Sequence, residues 1–272
     1  MKRSFWTTAA LVAIIGIGAG HVASAAMLTG EQMVNGAIEG GALGTSWALN
    51  QSDGTVTYDT TTFSPLGGST ASAKITDLAV SSTLPSMSQT LATVVTGTNA
   101  DTLTFSFDFR FGSTATKYWG IAFESADTYL PAQGGGYRPM TNAIKIRPST
   151  NGIGYESTGG VSSNVQSTSG GALQLYSATW YHMELIFDFD AKTFTGSITN
   201  AGNGNALGSW ANGIFHSPAT SLRRLAIVDT ETSANAPLFI DNVSLMAPIP
   251  EPATLSLMAL AGLMAWPRRR RA

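Results

Sequence analysis

The chain has 272 residues, a formal net charge of −2 and no cysteine. No disulfide can staple its fold and no thiol can act as a nucleophile, so stability has to come from an adequate core, with a metal as the available reinforcement. Of the 15 Lys and Arg, two precede residue 26 and four follow residue 267, whereas of the 17 acidic residues only Glu251 lies in the tail. The segment between is therefore acidic by about seven, which argues against a nucleic-acid partner and suits solubility outside the cell or weak attraction for divalent cations.

In chain order, Lys2 and Arg3 form a charged start, Phe5 to Ala19 is mostly apolar, and Ala23-Ser24-Ala25 offers the small residues that a signal peptidase accepts. Residues 1–25 read as a helical signal peptide, cut between Ala25 and Ala26. The chain from residue 26 to residue 247 has the length of one large β domain or two small ones.

MVNGAIEGG from Met33, Trp47, and LGGSTASAKI from Leu66 come next. Together with FIDNVSL at Phe239–Leu245 they are similar to the opening and closing segments of jelly-roll carbohydrate-binding modules. In such modules a structural calcium is held by an acidic residue near the start and an aspartate near the end, so the resemblance implies Glu39 and Asp241. Calcium takes six to eight oxygens, of which the sequence names two candidates. The competing reading has Glu39 capping a turn and Asp241 accepting hydrogen bonds from backbone amides.

Leu103 to Phe111 alternates strictly, with Leu103 and four phenylalanines on one face and polar side chains on the other, as a half-buried strand requires. Strands are also predicted at Tyr118–Glu124 and Ala143–Arg147. Between these two, Gln133–Gly136 reads as a loop; Gly134-Gly135-Gly136 has no helix or lysine after it to make a phosphate cradle. Tyr137 and Arg138, with Asn142, are candidates for sugar contact, because sugar rings stack on exposed aromatic faces. Gly159–Gly171 is predicted as a loop and Gly171–Tyr176 as a strand. Tyr181, Met183, Leu185, Phe187 and Phe189 repeat the alternation, broken by Ile186, and Asp190-Ala191-Lys192 turns the chain into Thr193–Thr199, giving a hairpin. Trp210 falls in a Gly- and Asn-rich stretch, read as a loop and a second sugar platform, whereas Trp119 and Trp180, beside core strands, read as packing residues. Strands at Leu222–Asp229 and Leu238–Leu245 close the series.

Catalytic signatures are sparse. Glu124 with Asp127, and Glu184 with Asp188, are the nearest local carboxylate pairs, but neither has the two glutamates flanking an aspartate that mark β-glucan-cleaving jelly rolls; Glu184, Asp188 and Asp190 read as the wet face of a strand. His182 and His216 lack metal-ligand spacing. No serine sits in a Gly-x-Ser-x-Gly elbow.

Many short strands with Gly-rich connections and no long amphipathic helix predict an all-β fold, a two-sheet antiparallel jelly-roll sandwich. LTFSFDFRF, TWYHMELIFDFDAKTFTGSIT and LFIDNVSL resemble the concanavalin A-like, laminin-G-like jelly rolls of exported bacterial proteins. That class includes lectins, carbohydrate-binding modules, adhesion domains and some glycoside hydrolases, so it implies a fold more than an activity.

The tail, 248–272, carries Pro250-Glu251-Pro252, an apolar stretch from Ala253 to Trp266, and Arg268, Arg269, Arg270 and Arg271. Fourteen residues are a marginal helical span against the ~20 that a bilayer needs. The arginines act as a stop signal and are expected to stay cytoplasmic. This order resembles the PEP-CTERM sorting signal of exported bacterial proteins, which implies a tail held in the inner membrane and processed by an exosortase-type transpeptidase. The expectation is an exported protein, first anchored with its C-terminus in the cytoplasm and then at the cell surface or outside. Its jelly roll would bind extracellular polysaccharide or serve structural and adhesive contacts; the alternative is a carbohydrate-active hydrolase or lyase.

Overall fold

The computed structural model describes residues 30–33, 47–51, 54–77, 85–96, 102–112, 119–124, 143–149, 152–156, 162–164, 173–214, 221–229 and 237–247. The strands are β1 (Gly30–Met33), β2 (Ala48–Asn50), β3 (Gly54–Asp59), β4 (Ser72–Asp77), β5 (Ser86–Thr96), β6 (Thr102–Phe111), β7 (Trp119–Glu124) and β8 (Ala143–Ser149). They continue with β9 (Gly152–Glu156), β10 (Ser162–Asn164), β11 (Trp180–Asp188), β12 (Thr193–Asn200), β13 (Ala206–Ile214), β14 (Ser221–Asp229) and β15 (Leu238–Ala247). No helix occurs among the described residues, and the two expected terminal helices lie outside them.

Two antiparallel sheets result. One has eight strands in the order β13-β12-β11-β6-β15-β4-β3, with β1 added along the far half of β15; the other has seven, ordered β10-β9-β8-β7-β14-β5-β2. The all-β sandwich expected from the alternation is the fold observed.

The alternation has a direct structural consequence. Phe105, Phe107, Phe109 and Phe111 all point inward from β6 and are fully buried, with successive ring centroids 5.1, 5.6 and 5.6 Å apart. Met183, Leu185 and Phe187 from β11 join them, and Met87, Ile121, Leu225 and Ile227 close the core from the other sheet. Ile186, which broke the pattern, points out and is exposed.

Three local expectations change. Leu173–Tyr176, the described part of the strand predicted at Gly171–Tyr176, joins neither sheet. Its burial alternates like a strand's, but the Tyr176 amide bonds the Tyr181 hydroxyl rather than a neighbouring strand. The stretch predicted as the loop Gly159–Gly171 contains β10, paired with β9. Trp210 stands in β13 rather than in a loop. There the indole lies across Gly196, where a Cβ would collide with it, and packs against the core.

Candidate functional site

The outward face of the eight-stranded sheet carries polar chemistry in rows, because residues paired across antiparallel strands share a face. Across β11, β6 and β15, His182 pairs with Asp108, and Asp108 with Asp241. One row further along stand Trp180, Arg110, Phe239 and Lys74. The Arg110 guanidinium and the Lys74 amine lie 5.6 and 5.9 Å from the Phe239 ring centroid, and Trp180 packs against the same ring. Trp180 is thus a packing residue as expected, but on the outer surface of its sheet.

Asp108 and Asp241 face away from the core yet are fully buried. Residues 60–71, the connection from β3 to β4, lie over them as a strap. The Asp59 carboxylate starts the strap by accepting hydrogen bonds from the Thr61 hydroxyl and the amides of Thr61 and Thr62, each 2.8 Å. Gly67 and Gly68, both at φ 69°, bend it in a conformation that side chains disfavour. A Cβ on Gly67 would stand 2.9 Å from Asn242 Oδ1.

Two carboxylates fasten the strap. Asp241 Oδ2 accepts from the Ser64 amide at 2.8 Å and the Ser69 hydroxyl at 2.6 Å, while Oδ1 accepts from the Asn242 amide at 2.8 Å. Asp108 Oδ2 accepts from the Ser64 hydroxyl at 2.5 Å and Asn242 Nδ2 at 2.7 Å. Asp108 Oδ1 is 2.6 Å from His182 Nδ1. Asn242 Nδ2 also donates to the Leu66 carbonyl at 3.1 Å. A register shift in β15 after Asp241 and the left-handed φ of 49° at Asn242 aim both side chains into the cluster. The hydrogen bond to Asp108 is the main cause raising the His182 pKa above its ordinary value; burial opposes it, and the charges of Asp108 and Glu184 add to the rise. The His182 side chain remains 31% exposed.

These carboxylates bear on the expected chemistry. Asp241 is placed as an acceptor of amide and hydroxyl hydrogens, and an N–H donor cannot share an oxygen's lone pair with a cation at no cost. Oδ2 takes two such bonds and Oδ1 one; Glu39 lies outside the described residues. Among the described residues no group of three or more His, Asp or Glu could hold a metal ion. Glu184 and Asp188 are four residues apart on β11, about 13 Å by strand rise, beyond the ~5–9.5 Å of glycosidase pairs. Asp188 instead caps the hairpin turn, accepting the Ala191 amide at 2.7 Å. Glu124 stands in β7 of the other sheet, and Asp127 lies outside the described residues.

Of the sequence-predicted ligand residues, Tyr137 and Arg138 lie outside the described residues, as do Ala25, Ala26, the Pro250–Pro252 motif and Arg268 to Arg271. Trp210 is half-buried, with its indole turned onto Gly196. Sequence reading passed over Tyr176, the most exposed large hydrophobic residue among those described, at 66%. Its amide donates not to a strand but to the Tyr181 hydroxyl at 2.5 Å, and that hydroxyl lies 3.3 Å from the Tyr176 carbonyl. Burial pushes the Tyr181 phenol up, against opposing hydrogen bonds from the Tyr176 backbone and Thr179. Tyr181 therefore stays a neutral clamp on the Tyr176 backbone. The only advance signal was a tyrosine next to a Ser-Ala turn, too common to single out.

No protein-family model matches the sequence, and no curated protein matches it. Among solved structures, the chain is similar to lectin I from Ulex europaeus in complex with the methyl glycoside of α-L-fucose: TM-score 0.51, 12% identity, 80% of this chain and 95% of that one. It is also similar to winged bean acidic lectin complexed with methyl-α-D-galactose, at TM-score 0.50 and 13% identity over 76% of this chain and 94% of that one. A sialidase gives TM-score 0.51 at 13% identity over 81% of this chain, which spans only 19% of the sialidase's length. At such identities the likeness shows the fold alone, a two-sheet jelly roll like that of those lectins.

Proposed function

We propose that this is an exported protein whose jelly roll binds carbohydrate, with Tyr176 as a sugar-stacking residue, and which reaches the cell surface through its PEP-CTERM-like tail. The observation that carries the binding reading is the two-sheet fold, similar over most of its length to lectins solved with sugar glycosides. Tyr176 adds a preorganised aromatic face: its backbone is held by the Tyr181 hydroxyl, so little ordering is lost when a sugar ring covers it. Its place on the molecule suits display. The Ala178 amide bonds the Phe111 carbonyl and Phe111 pairs with Leu238, which puts Tyr176 near the start of the 10-residue β15. The tail leaves from the other end of that strand, about 30 Å away at ~3.3 Å per residue.

The proposed route involves signal peptidase, an inner-membrane stage held by the C-terminal segment, and an exosortase-type transpeptidase. A hydrolase or lyase on the same fold is the second reading, but the one adjacent carboxylate pair among the described residues, Asp108 with Asp241, is fully buried beneath the strap and out of a substrate's reach. Glycan-array binding by the full chain, with the same glycans assayed for cleavage, tests both. Binding without release of reducing ends is expected, and Tyr176→Ala should weaken it by roughly three- to tenfold, the worth of one aromatic contact. Cleavage lost on Glu124→Gln or Glu184→Gln would favour the enzyme; neither binding nor cleavage would leave a structural surface protein.

A further inference from the structure

Two carboxylates side by side and out of water are costly unless each is hydrogen-bonded and compensated. Asp108 and Asp241 meet this on the outer face of the sheet with a cover that is itself uncharged: residues 60–71 contain no Asp, Glu, Lys, Arg or His. The strap's donors to the pair include the Ser64 amide and hydroxyl and the Ser69 hydroxyl, all neutral. The positive charge within hydrogen-bond distance of Asp108 comes from the sheet, from His182 on the neighbouring strand.

We propose that the strap is a pH-sensitive cover, held over Asp108 and Asp241 while His182 is protonated and loosened when His182 gives up its proton. The groups facing His182 all bear on this. On β6 stand Asp108, which its Nδ1 contacts, and Arg110 two residues along on the same face, whose guanidinium is drawn over Phe239. On its own strand Glu184 adds a negative charge that favours the imidazolium, on β12 its partner is the uncharged Thr199, and on β15 Asp241 lies one strand beyond Asp108. Loss of the proton leaves two carboxylates and Glu184 facing a neutral ring. The element that gives is the strap, since it is joined to the cluster by hydrogen bonds and turns whereas the strands are held by their ladders.

The direction is fixed by the sign of the shift. A histidine whose folded pKa is raised contributes stability that is fully present below its ordinary value of about 6.5 and lost as pH rises through the raised value. The strap is therefore tightest in mild acid and loosens toward alkaline pH.

Hydrogen–deuterium exchange of the full chain, read by mass spectrometry on peptides covering 60–71 and corrected for the intrinsic pH dependence, tests this. Between pH 6 and pH 9 protection in the strap should fall severalfold as His182 loses its proton, while peptides from β6 and β12 hold. His182→Gln keeps a donor but no charge, and should show the loosened strap at both pH values. Equal wild-type protection at pH 6 and pH 9, or a pH response retained in His182→Gln, would overturn the proposal. Should the variant fail to fold, the wild-type imidazole titration by NMR decides: signals of Ser64 and Ser69 moving with that of His182 support the cover, and a His182 titration that leaves them unmoved rejects it.

Discussion

At the residue scale, the aspartate of the IDNV stretch shows how one side chain joins distant chain segments. Asp241 ties Ser64 and Ser69 to the last strand across more than 170 positions of sequence. Hydrogen bonds to a charged acceptor are each worth about 1.5–3 kcal/mol, and deleting the acceptor leaves buried donors unsatisfied. Asp241→Ala should therefore lower unfolding free energy by roughly 2–4 kcal/mol in urea titration, with strap peptides cleaved sooner by protease; a loss under ~0.5 kcal/mol would show that the cluster fastens nothing. The sequence offered two roles for this residue, calcium ligand or acceptor of amides, and the donors around it are those of the second. The Ser64 and Ser69 contributions were not legible, because serines in a Gly-rich stretch look like any loop.

At the element scale, the β11–β12 hairpin and β6 were legible because burial on one face alone enforces strict alternation. Their neighbour β13 was not. ALGSWANGI has glycines where an inward-facing strand normally carries apolar side chains, which reads as a loop until the partners are known. Glycines and rings fill one another's space: Trp210 covers Gly196 on β12, and Phe194 covers Gly213 on β13. A methyl group at Gly196 would run into the rigid indole, so Gly196→Ala should cost about 1–3 kcal/mol by overpacking and alter Trp210 fluorescence. Unchanged stability and emission would mean that the ring moves aside freely. Leu173–Tyr176 failed in the opposite sense, since its alternating burial comes from lying along the core edge rather than from pairing.

At the scale of the whole molecule, the chain enters and leaves the sandwich together: Gly30 of β1 pairs with Ala247 at the end of β15. Gly30 and Ala247 thus share one end of the eight-stranded sheet, and Tyr176 lies toward the other. If the tail is a processed sorting signal, intact-mass measurement of protein released by a native host should find the arginines of 268–271 removed; a released form retaining them would contradict processing.

The sequence by itself determined the all-β sandwich and its main core strands, because period-two burial is a local property that each strand carries alone. It also supplied every reason for expecting export, through charge and apolarity at the two ends. Only the tertiary structure decided that Asp108, Asp241, His182, Ser64, Ser69 and Asn242 form one cluster under a strap, that Trp210 is turned to packing, and that Tyr176 is the most exposed of the described large hydrophobic residues. Those outcomes depend on cross-strand register and on a bulge in β15, which bring together residues up to 177 positions apart. No local pattern encodes such a meeting, since each partner is an ordinary polar residue until its neighbour on the next strand is fixed.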